Sequence, residues 1–469
     1  MSEKTYGEKL TEDLLFKPEN VYEKISDEEI EKANEFCESY KTFLNHAKTE
    51  RESIDSIIEL AKEKGFNEYI YGTAYNSGDK FFYNNRGKSI ILVKMGRKNI
   101  ESGLKIVMAH VDSPRLDFKP RPLYEESELA FLRTNYYGGI KKYQWPTLPL
   151  AIHGIIYKAN GDCVKINIGE DENDPVFCVT DLLPHLDREQ GTKPIGKAIE
   201  GENLTVLVGS RPFKDDKASE KVKLNIIKIL NEKYGICEKD FMSAELEAVP
   251  AFKAKDIGFD RSMVGSYGQD DRVCAYPSLM AILQDDDCEK TSVCLLCDKE
   301  ETGSDGNTGL SSNFFNFFMD NLCKSLNANK TIVFKNSLCL SADVTAAYDP
   351  VFPTVHDKNN AAFLNRGVSV MKYSGSGGKY STSDASAETM SYFRRIFDEN
   401  NVAWQIGCLG KVDGGGGGTL AKYIALLDID TLDIGVPIIS MHAPFEIASK
   451  IDIYMAFKAF KVFLTKELE

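Results

Sequence analysis

The stretch from Ser292 to Gly303, SVCLLCDKEETG, constrains the fold more than any other part of the chain. Its apolar residues Val293 to Cys297 predict a buried strand that ends shortly before two adjacent carboxylates, Glu300 and Glu301. Consecutive side chains at the end of a strand point in different directions. One carboxylate can therefore face a metal ion while its neighbour faces a water on that ion. An isolated Glu-Glu pair more often lies on the solvated surface. A functional interpretation of this pair therefore depends on residues of metal-binding type elsewhere in the chain.

Length and charge exclude several classes of protein. A chain of 469 residues favours two domains over one. It carries 71 acidic against 57 basic residues, and a net charge of −14 argues against binding nucleic acid or an anionic membrane. The first residues, MSEKTYGEKL, have no apolar signal core, and no apolar run approaches the roughly 20 residues of a membrane span. Together with eleven scattered cysteines, which are typical of reduced thiols, these features predict a cytoplasmic protein.

The texture of the sequence changes in its second quarter. Short β-type runs joined by polar turns, such as Ala151 to Tyr157 and Val164 to Ile168, predict a β-rich domain over residues 119–240. Before and after it, helical and apolar strand patterns alternate, which is typical of an α/β domain built from residues 1–118 and 241–469. The run Leu246 to Val249 is predicted to be the first strand after the insertion.

Several residues of metal-binding type share one placement, because each follows an apolar strand. They are His110, Glu301, Asp343 and His442. Open α/β sheets bind ligands at the carboxyl ends of their strands. A further candidate, Asp270, lies in YGQDDR, a turn leading into a helix, where an Asp is also a common N-cap. Two histidines and three carboxylates suit zinc, cobalt or manganese, with one carboxylate bridging two ions.

Five motifs carry a resemblance to a known family, and they appear in this order: HVDSPRLDFKP, YGQDDRVCAY, DKEETGS, SADVTAA and ISMHAPFE. Over nearly its whole length the chain resembles the aspartyl aminopeptidases, which include vacuolar aminopeptidase I and its bacterial relatives. The resemblance implies a zinc-peptidase-like mixed-sheet α/β catalytic domain, interrupted by a β-rich dimerisation domain. It also implies two divalent metal ions per subunit, zinc before cobalt or manganese, and a tetrahedral dodecamer built from dimers.

The same resemblance implies how the ligands divide between the two ions. Asp270 would bridge them. His110 and Asp343 would complete one site, and Glu301 with His442 would complete the other. Without the resemblance, each of these residues has a structural alternative, since a single His after a strand more often packs or caps than binds metal.

The resemblance also implies roles for residues that do not bind metal. Glu300 would be the general base, and Asp112 would orient a ligand imidazole. His153, within LPLAIHG, would reach the transition state of a neighbouring subunit. Lys379 and Tyr380 fall in a loop that meets the substrate side chain, where Lys379 would read an acidic residue.

The expected activity is removal of the N-terminal residue of peptides by a metal-dependent aminopeptidase. Two departures from the family pattern, at Ala443–Phe445 and Ala346–Ala347, favour a specificity broader than acidic residues. Another amide hydrolase on the same scaffold, such as a deacylase or carboxypeptidase, is the alternative enzyme. A non-catalytic shell protein is the alternative from another class, and the intact Glu300 speaks against it.

Overall fold

The computed structural model describes residues 4–468, so the first three residues of the stretch searched for a signal core lie outside it. Capping side chains mark helix starts: Ser26 accepts a hydrogen bond from the Glu29 amide at the start of the second helix. The helices, in chain order, are α1 (Tyr6–Leu14), α2 (Asp27–His46), α3 (Glu50–Glu63), α4 (Ile195–Ala198), α5 (Lys221–Tyr234), α6 (Gln269–Ile282), α7 (Phe314–Ser325), α8 (Lys330–Lys335), α9 (Ala387–Glu399), α10 (Ala421–Ala425) and α11 (Lys450–Thr465).

The strands of the described chain form three sheets and one short two-stranded ribbon. In chain order they are β1 (Asn67–Glu68), β2 (Lys80–Asn85), β3 (Ser89–Lys94), β4 (Leu104–His110), β5 (Arg115–Glu126), β6 (Leu129–Tyr137), β7 (Leu150–Tyr157), β8 (Cys163–Ile168), β9 (Cys178–Val179), β10 (Val206–Gly209), β11 (Ala244–Pro250), β12 (Lys255–Ile257), β13 (Met263–Ser266), β14 (Thr291–Cys297), β15 (Leu338–Ala342), β16 (Thr345–Ala346), β17 (Val368–Met371), β18 (Gly375–Ser376), β19 (Trp404–Ile406), β20 (Gly416–Gly417), β21 (Asp430–Gly435), β22 (Pro437–Ile439) and β23 (Glu446–Ser449).

The largest sheet is mixed, with the order β1-β2-β3-β14-β4-β15-β21-β17-β19. Its centre, from β14 through β4 and β15 to β21, is parallel, whereas β3 and β17 join this centre antiparallel. Parallel neighbours end at the same edge, and Cys297 of β14 lies opposite His110 of β4. The residues that follow these strands therefore meet at one edge of the sheet, as expected for an open α/β fold.

Helices cover both faces of this sheet, which explains why its central strands are apolar on both sides. Alternate residues of β14 enter different cores. Cys294 and Leu296 pack with helices α2, α3, α6, α9 and α11. Val293 and Leu295 pack with α7, α8 and α10. The fold class is the predicted α/β class, and β14 contains the predicted apolar run Val293–Cys297.

A second sheet has the order β8-β7-β11-β5-β6-β10-β9, and neighbouring strands in it are antiparallel. Its strands extend from Arg115 to Pro250, so the sheet begins before the predicted limit of 119 and includes β11, which lies beyond the predicted limit of 240. The run Leu246 to Val249 does not begin the returning α/β domain. It lies in β11, which pairs with β7 on one side and β5 on the other.

A smaller third sheet, ordered β12-β13-β23-β22-β16, supports the last metal-binding candidate. His442 follows β22, as the apolar run before it predicts, but β22 belongs to this sheet and not to the large one. The turn between β22 and β23 carries His442 with a positive φ of 62°. The large sheet and the third sheet thus supply ligands from two directions.

Candidate metal centre

Three of the candidates meet at the carboxyl edge of the large sheet. Ligand atoms of His110, Asp270 and Asp343 lie within 4.8 Å of one another, and all three residues are buried. The His110 Nε2 atom is 3.2 Å from Asp270 Oδ1 and 3.8 Å from Asp343 Oδ1. One nitrogen and two carboxylate oxygens therefore converge on a common point.

A second group of three shares Asp270 with the first. Ligand atoms of Asp270, Glu301 and His442 also lie within 4.8 Å of one another. The His442 Nε2 atom is 3.1 Å from Asp270 Oδ2 and 3.6 Å from Glu301 Oε2. Asp270 thus presents one oxygen to each histidine. All five predicted ligands are brought together, in two groups joined by one carboxylate.

The turn before α6 gives Asp270 this central position. Gly268, two residues before it, has φ +70°, and a Cβ there would lie 1.8 Å from Nη1 of the buried Arg272, so glycine is favoured at this position. Asp270 and Asp271 have non-helical backbone angles inside the first turn. The side chain of Asp270 consequently faces the histidines and does not cap the helix, while Asp271 Oδ2 accepts the His110 amide at 3.3 Å.

Glu446 is a residue of the site that the sequence interpretation missed. It is buried, and its two carboxylate oxygens accept the backbone N–H of Asp270 at 3.0 Å and of His442 at 2.7 Å. One side chain thereby fixes the two turns that carry these ligands. Glu446 is part of the quoted motif ISMHAPFE, so its position was visible, but nothing in a single Glu indicates that it spans two turns.

Asp112 lies behind the Glu300–Glu301 turn. Its Oδ1 accepts the Glu300 amide at 3.1 Å, and its Oδ2 accepts the Glu301 amide at 3.2 Å. The Nδ1 atom of His110 is 3.0 Å from the Asp112 carbonyl oxygen and 3.3 Å from Oδ1. A proton on Nδ1 is therefore held by Asp112, which leaves Nε2 free to face the cluster.

The carboxyl groups of this site are crowded and poorly solvated. Burial, followed by repulsion from Asp343, raises the pKa of Glu300 to about 8. Burial, followed by repulsion from Asp270, raises the pKa of Glu301 well above its usual value. Burial disfavours the cation of His442, but its hydrogen bond to Asp270 outweighs this and raises the pKa to about 11. The site as a whole therefore disfavours the ionised forms of Glu300 and Glu301.

The donor set fits divalent cations. Two imidazoles and three carboxylates are ligands that zinc accepts. The buried Glu301 Oε1 atom has no hydrogen-bond partner among residues 4–468, and an uncompensated carboxylate oxygen is costly in such a place. A bound cation would satisfy that oxygen and offset the repulsion that raises the carboxyl pKa values.

The structure does not bring His153 to this cluster. The ring is buried within its own subunit, with Nδ1 2.7 Å from Glu52 Oε1 and Nε2 3.2 Å from Glu170 Oε1. Burial disfavours the charged ring, yet the hydrogen bonds to Glu170 and Glu52 outweigh it and raise the pKa of His153 to about 9. A role at the transition state stays a prediction, and it requires the ring to leave both carboxylates.

Lys379 and Tyr380 lie on the loop after β18, and neither contacts the five ligand candidates within residues 4–468. The Lys379 ammonium is 2.6 Å from Asp384 Oδ2 and 4.0 Å from the centre of the Tyr373 ring. Tyr380 is 76% exposed. An acidic substrate side chain that paired with Lys379 would share the ammonium with Asp384.

Comparison with known proteins assigns the chain to a family. Residues 43–464 match the family model described as aminopeptidase I zinc metalloprotease (M18). The chain belongs to the M18 family. A probable M18 aminopeptidase 1 of Borrelia garinii subsp. bavariensis is 49% identical over 455 residues, covering 95% of this chain and 99% of that protein. An M18 aminopeptidase structure from Thermotoga maritima has a TM-score of 0.93 and 42% identity, covering 97% of this chain and all of the other.

As an M18 member, the protein is a metal-dependent aminopeptidase, which confirms the activity predicted from the sequence. The S. cerevisiae mApe1 dodecamer shares the fold, with a TM-score of 0.73, 19% identity, and coverage of 91% of this chain and 95% of that one. Among residues 4–468, none of the helices is both long enough and apolar enough for a membrane span.

Proposed function

We propose that the enzyme holds two divalent ions, zinc before cobalt or manganese, and removes the N-terminal residue of peptides with Glu300 as general base. The observation that carries this proposal is the shared Asp270, whose Oδ1 and Oδ2 face His110 and His442 respectively. Two ligand groups joined by one carboxylate are the arrangement expected of a two-metal hydrolase. Asp343 would complete the first group and Glu301 the second.

The residues of the chain divide the chemistry among them. Bound ions would polarise the scissile carbonyl and acidify the attacking water. Glu300, adjacent to the ligand Glu301, takes the proton from that water and gives it to the departing amine. Asp112 accepts the amides of both glutamates, so it fixes which of them faces the ligands and which faces the substrate.

The adjacent glutamates allow a matched test. Glu300→Gln is expected to keep its zinc and to lose about 10²- to 10⁴-fold in kcat, because a general base is removed while every ligand remains. Glu301→Gln is expected to lose zinc, which elemental analysis measures. If Glu300→Gln loses zinc or turns over normally, Glu300 is not the base.

The assembly proposed for this chain is a dodecamer, tetrahedral and built from dimers through the second domain of residues 119–240. It is supported by the fold shared with the S. cerevisiae mApe1 dodecamer. Peptides are the proposed substrates, and the cytoplasm is the proposed location. Sedimentation of the zinc-loaded enzyme tests the assembly, and a species of any other mass contradicts it.

A further inference from the structure

The loop that follows strand β6 reaches from the second sheet into the metal centre. Tyr137, the last residue of β6, is buried, and its hydroxyl donates to Asp112 Oδ2 at 2.7 Å. The same carboxylate accepts the amides of Glu300 and Glu301. The tyrosine hydroxyl is therefore a further donor on the carboxylate that holds the turn of the general base.

Two cations hold the ring of Tyr137 in this position. The Arg115 guanidinium lies 4.2 Å from the ring centre, and the Lys299 ammonium lies 5.2 Å from it. Both distances fall within the range of cation–π attraction. Lys299 is the residue immediately before Glu300, so the ring contacts the turn through a side chain as well as through Asp112.

The next two residues approach the second ligand group through their backbone. The Gly139 carbonyl oxygen is 2.9 Å from His442 Nδ1 and accepts its proton, which directs Nε2 toward Asp270. A Cβ at Gly139 would lie 3.2 Å from His442 Nδ1, and a Cβ at Gly138 would lie 3.2 Å from Glu301 Oε2. Gly138 also has φ +73°. Glycine lets the chain pass this close to two ligands.

We propose that the segment Tyr137–Gly139 is a positioning element of the metal centre: its tyrosine hydroxyl aligns Glu300 through Asp112, and its Gly139 carbonyl orients His442. This inference rests on the proposed function, since it takes Glu300 as the base and His442 as a ligand. In this role the three residues act by fixing Glu300 and His442. They tie the chemistry to the second sheet, which supplies none of the five ligand candidates.

Tyr137→Phe removes the hydroxyl and keeps an aromatic ring next to Arg115 and Lys299. We expect kcat to fall about 10- to 100-fold, the range for groups that orient a metal site, with KM changed less than about twofold and zinc content unchanged. Tyr136→Phe is the control, because Tyr136 lies on the same strand and is 45% exposed. The proposal for Tyr137 is overturned if kcat stays within about twofold of wild type, or if its loss only follows a loss of zinc or of folded protein.

Gly139→Ala tests the other half without measuring activity. The added methyl, 3.2 Å from His442 Nδ1, is expected to shift the ring by a few tenths of an ångström and to weaken its hydrogen bond to the Gly139 carbonyl. We therefore expect zinc affinity to fall about 10- to 100-fold in competition with a chelator. Gly196→Ala is the control, since a Cβ at Gly196 meets nothing within 4 Å. An unchanged zinc affinity for Gly139→Ala overturns this half.

The outcomes also separate this inference from the proposed function. If Glu300→Gln turns over normally, the assignment of the base fails whatever Tyr137→Phe does. If Glu300→Gln is inactive with zinc bound and Tyr137→Phe resembles wild type, only the positioning role of Tyr137 fails.

Discussion

His153 gives a prediction whose size follows from its contacts. Its ring lies between Glu52 on α3 and Glu170, which follows β8, and it is 1% exposed. Glu52 also accepts the Thr49 amide at 3.2 Å, so the imidazole ties β7 to the capped start of α3. In this position the two N–H groups of the protonated ring face the two carboxylates. Neither N–H is free to donate to a substrate oxygen at the same time.

The pKa of His153 rises from 6.5 to about 9, because hydrogen bonds to Glu170 and Glu52 outweigh burial. A shift of about 2.5 units corresponds to roughly 3 kcal/mol. Since the folded pKa is the higher one, this stabilisation is fully present below pH 6.5 and is lost as the pH rises through 9. Glu170 stays ionised throughout, because His153, Lys48 and Lys253 lower its pKa to about 2 against the effect of burial.

The assay compares wild type with His153→Gln, both zinc-loaded at one protein concentration, by denaturant unfolding at pH 6, 7.5 and 9.5. We expect the difference in the free energy of unfolding to shrink by roughly 3 kcal/mol from pH 6 to 9.5. His185→Gln, at an exposed histidine of the same domain, should show no such trend.

A difference that does not change with pH would refute the reasoning. If kcat also fell sharply in that case, His153 would act at the transition state. Mixed subunits carrying His153→Gln and Glu300→Gln would then recover activity, because some sites would combine an intact base with an intact histidine of a neighbour.

Three further outcomes follow from the site. Asp270→Ala should lose two zinc ions per subunit and His442→Ala one, because only Asp270 serves both ligand groups; equal losses by elemental analysis would contradict the bridging position. Glu446→Gln should lower the free energy of unfolding by about 1–3 kcal/mol, because glutamine keeps one acceptor oxygen and leaves the backbone N–H of either Asp270 or His442 unpaired. An unchanged denaturation midpoint would contradict this. Lys379→Met should change the ratio of kcat/KM for Glu- over Leu-p-nitroanilide less than about fivefold, because Asp384 already holds the ammonium; a larger loss for the acidic substrate would assign Lys379 to recognition.

The sequence predicts the large-sheet part of the site well, for a physical reason. A strand buried on both faces is mostly apolar, so its end is visible as a change to polar residues after the run. His110, Glu301 and Asp343 follow such runs, and parallel pairing brings them to one edge. Neither step requires knowledge of distant contacts.

The second sheet is harder to predict from the sequence. The run Leu246 to Val249 has the apolar character of a strand in either domain, and only its pairing with β5 and β7 assigns it to the second sheet. Helix α5 lies in a region predicted as mostly β, although Ile226, Ile227 and Leu230 recur at helical spacing and pack on that sheet. The β-type runs earlier in this region favour a β prediction for the whole of it, in spite of that helical spacing.

The contacts that orient the ligands through backbone atoms are the least predictable part of the site. The Asp112 carboxylate accepts two main-chain amides, Glu446 accepts two others, and Gly139 contributes a carbonyl. Every residue but proline has such donors and acceptors, so residue type carries no information about which one is used. A sequence therefore identifies side chains able to bind a cation, while the tertiary fold decides which peptide groups fix their direction. Turnover and metal affinity depend both on the ligand side chains and on the groups that fix their direction. Substitutions at Tyr137 or Glu446 alter how the ligands are held without removing a ligand.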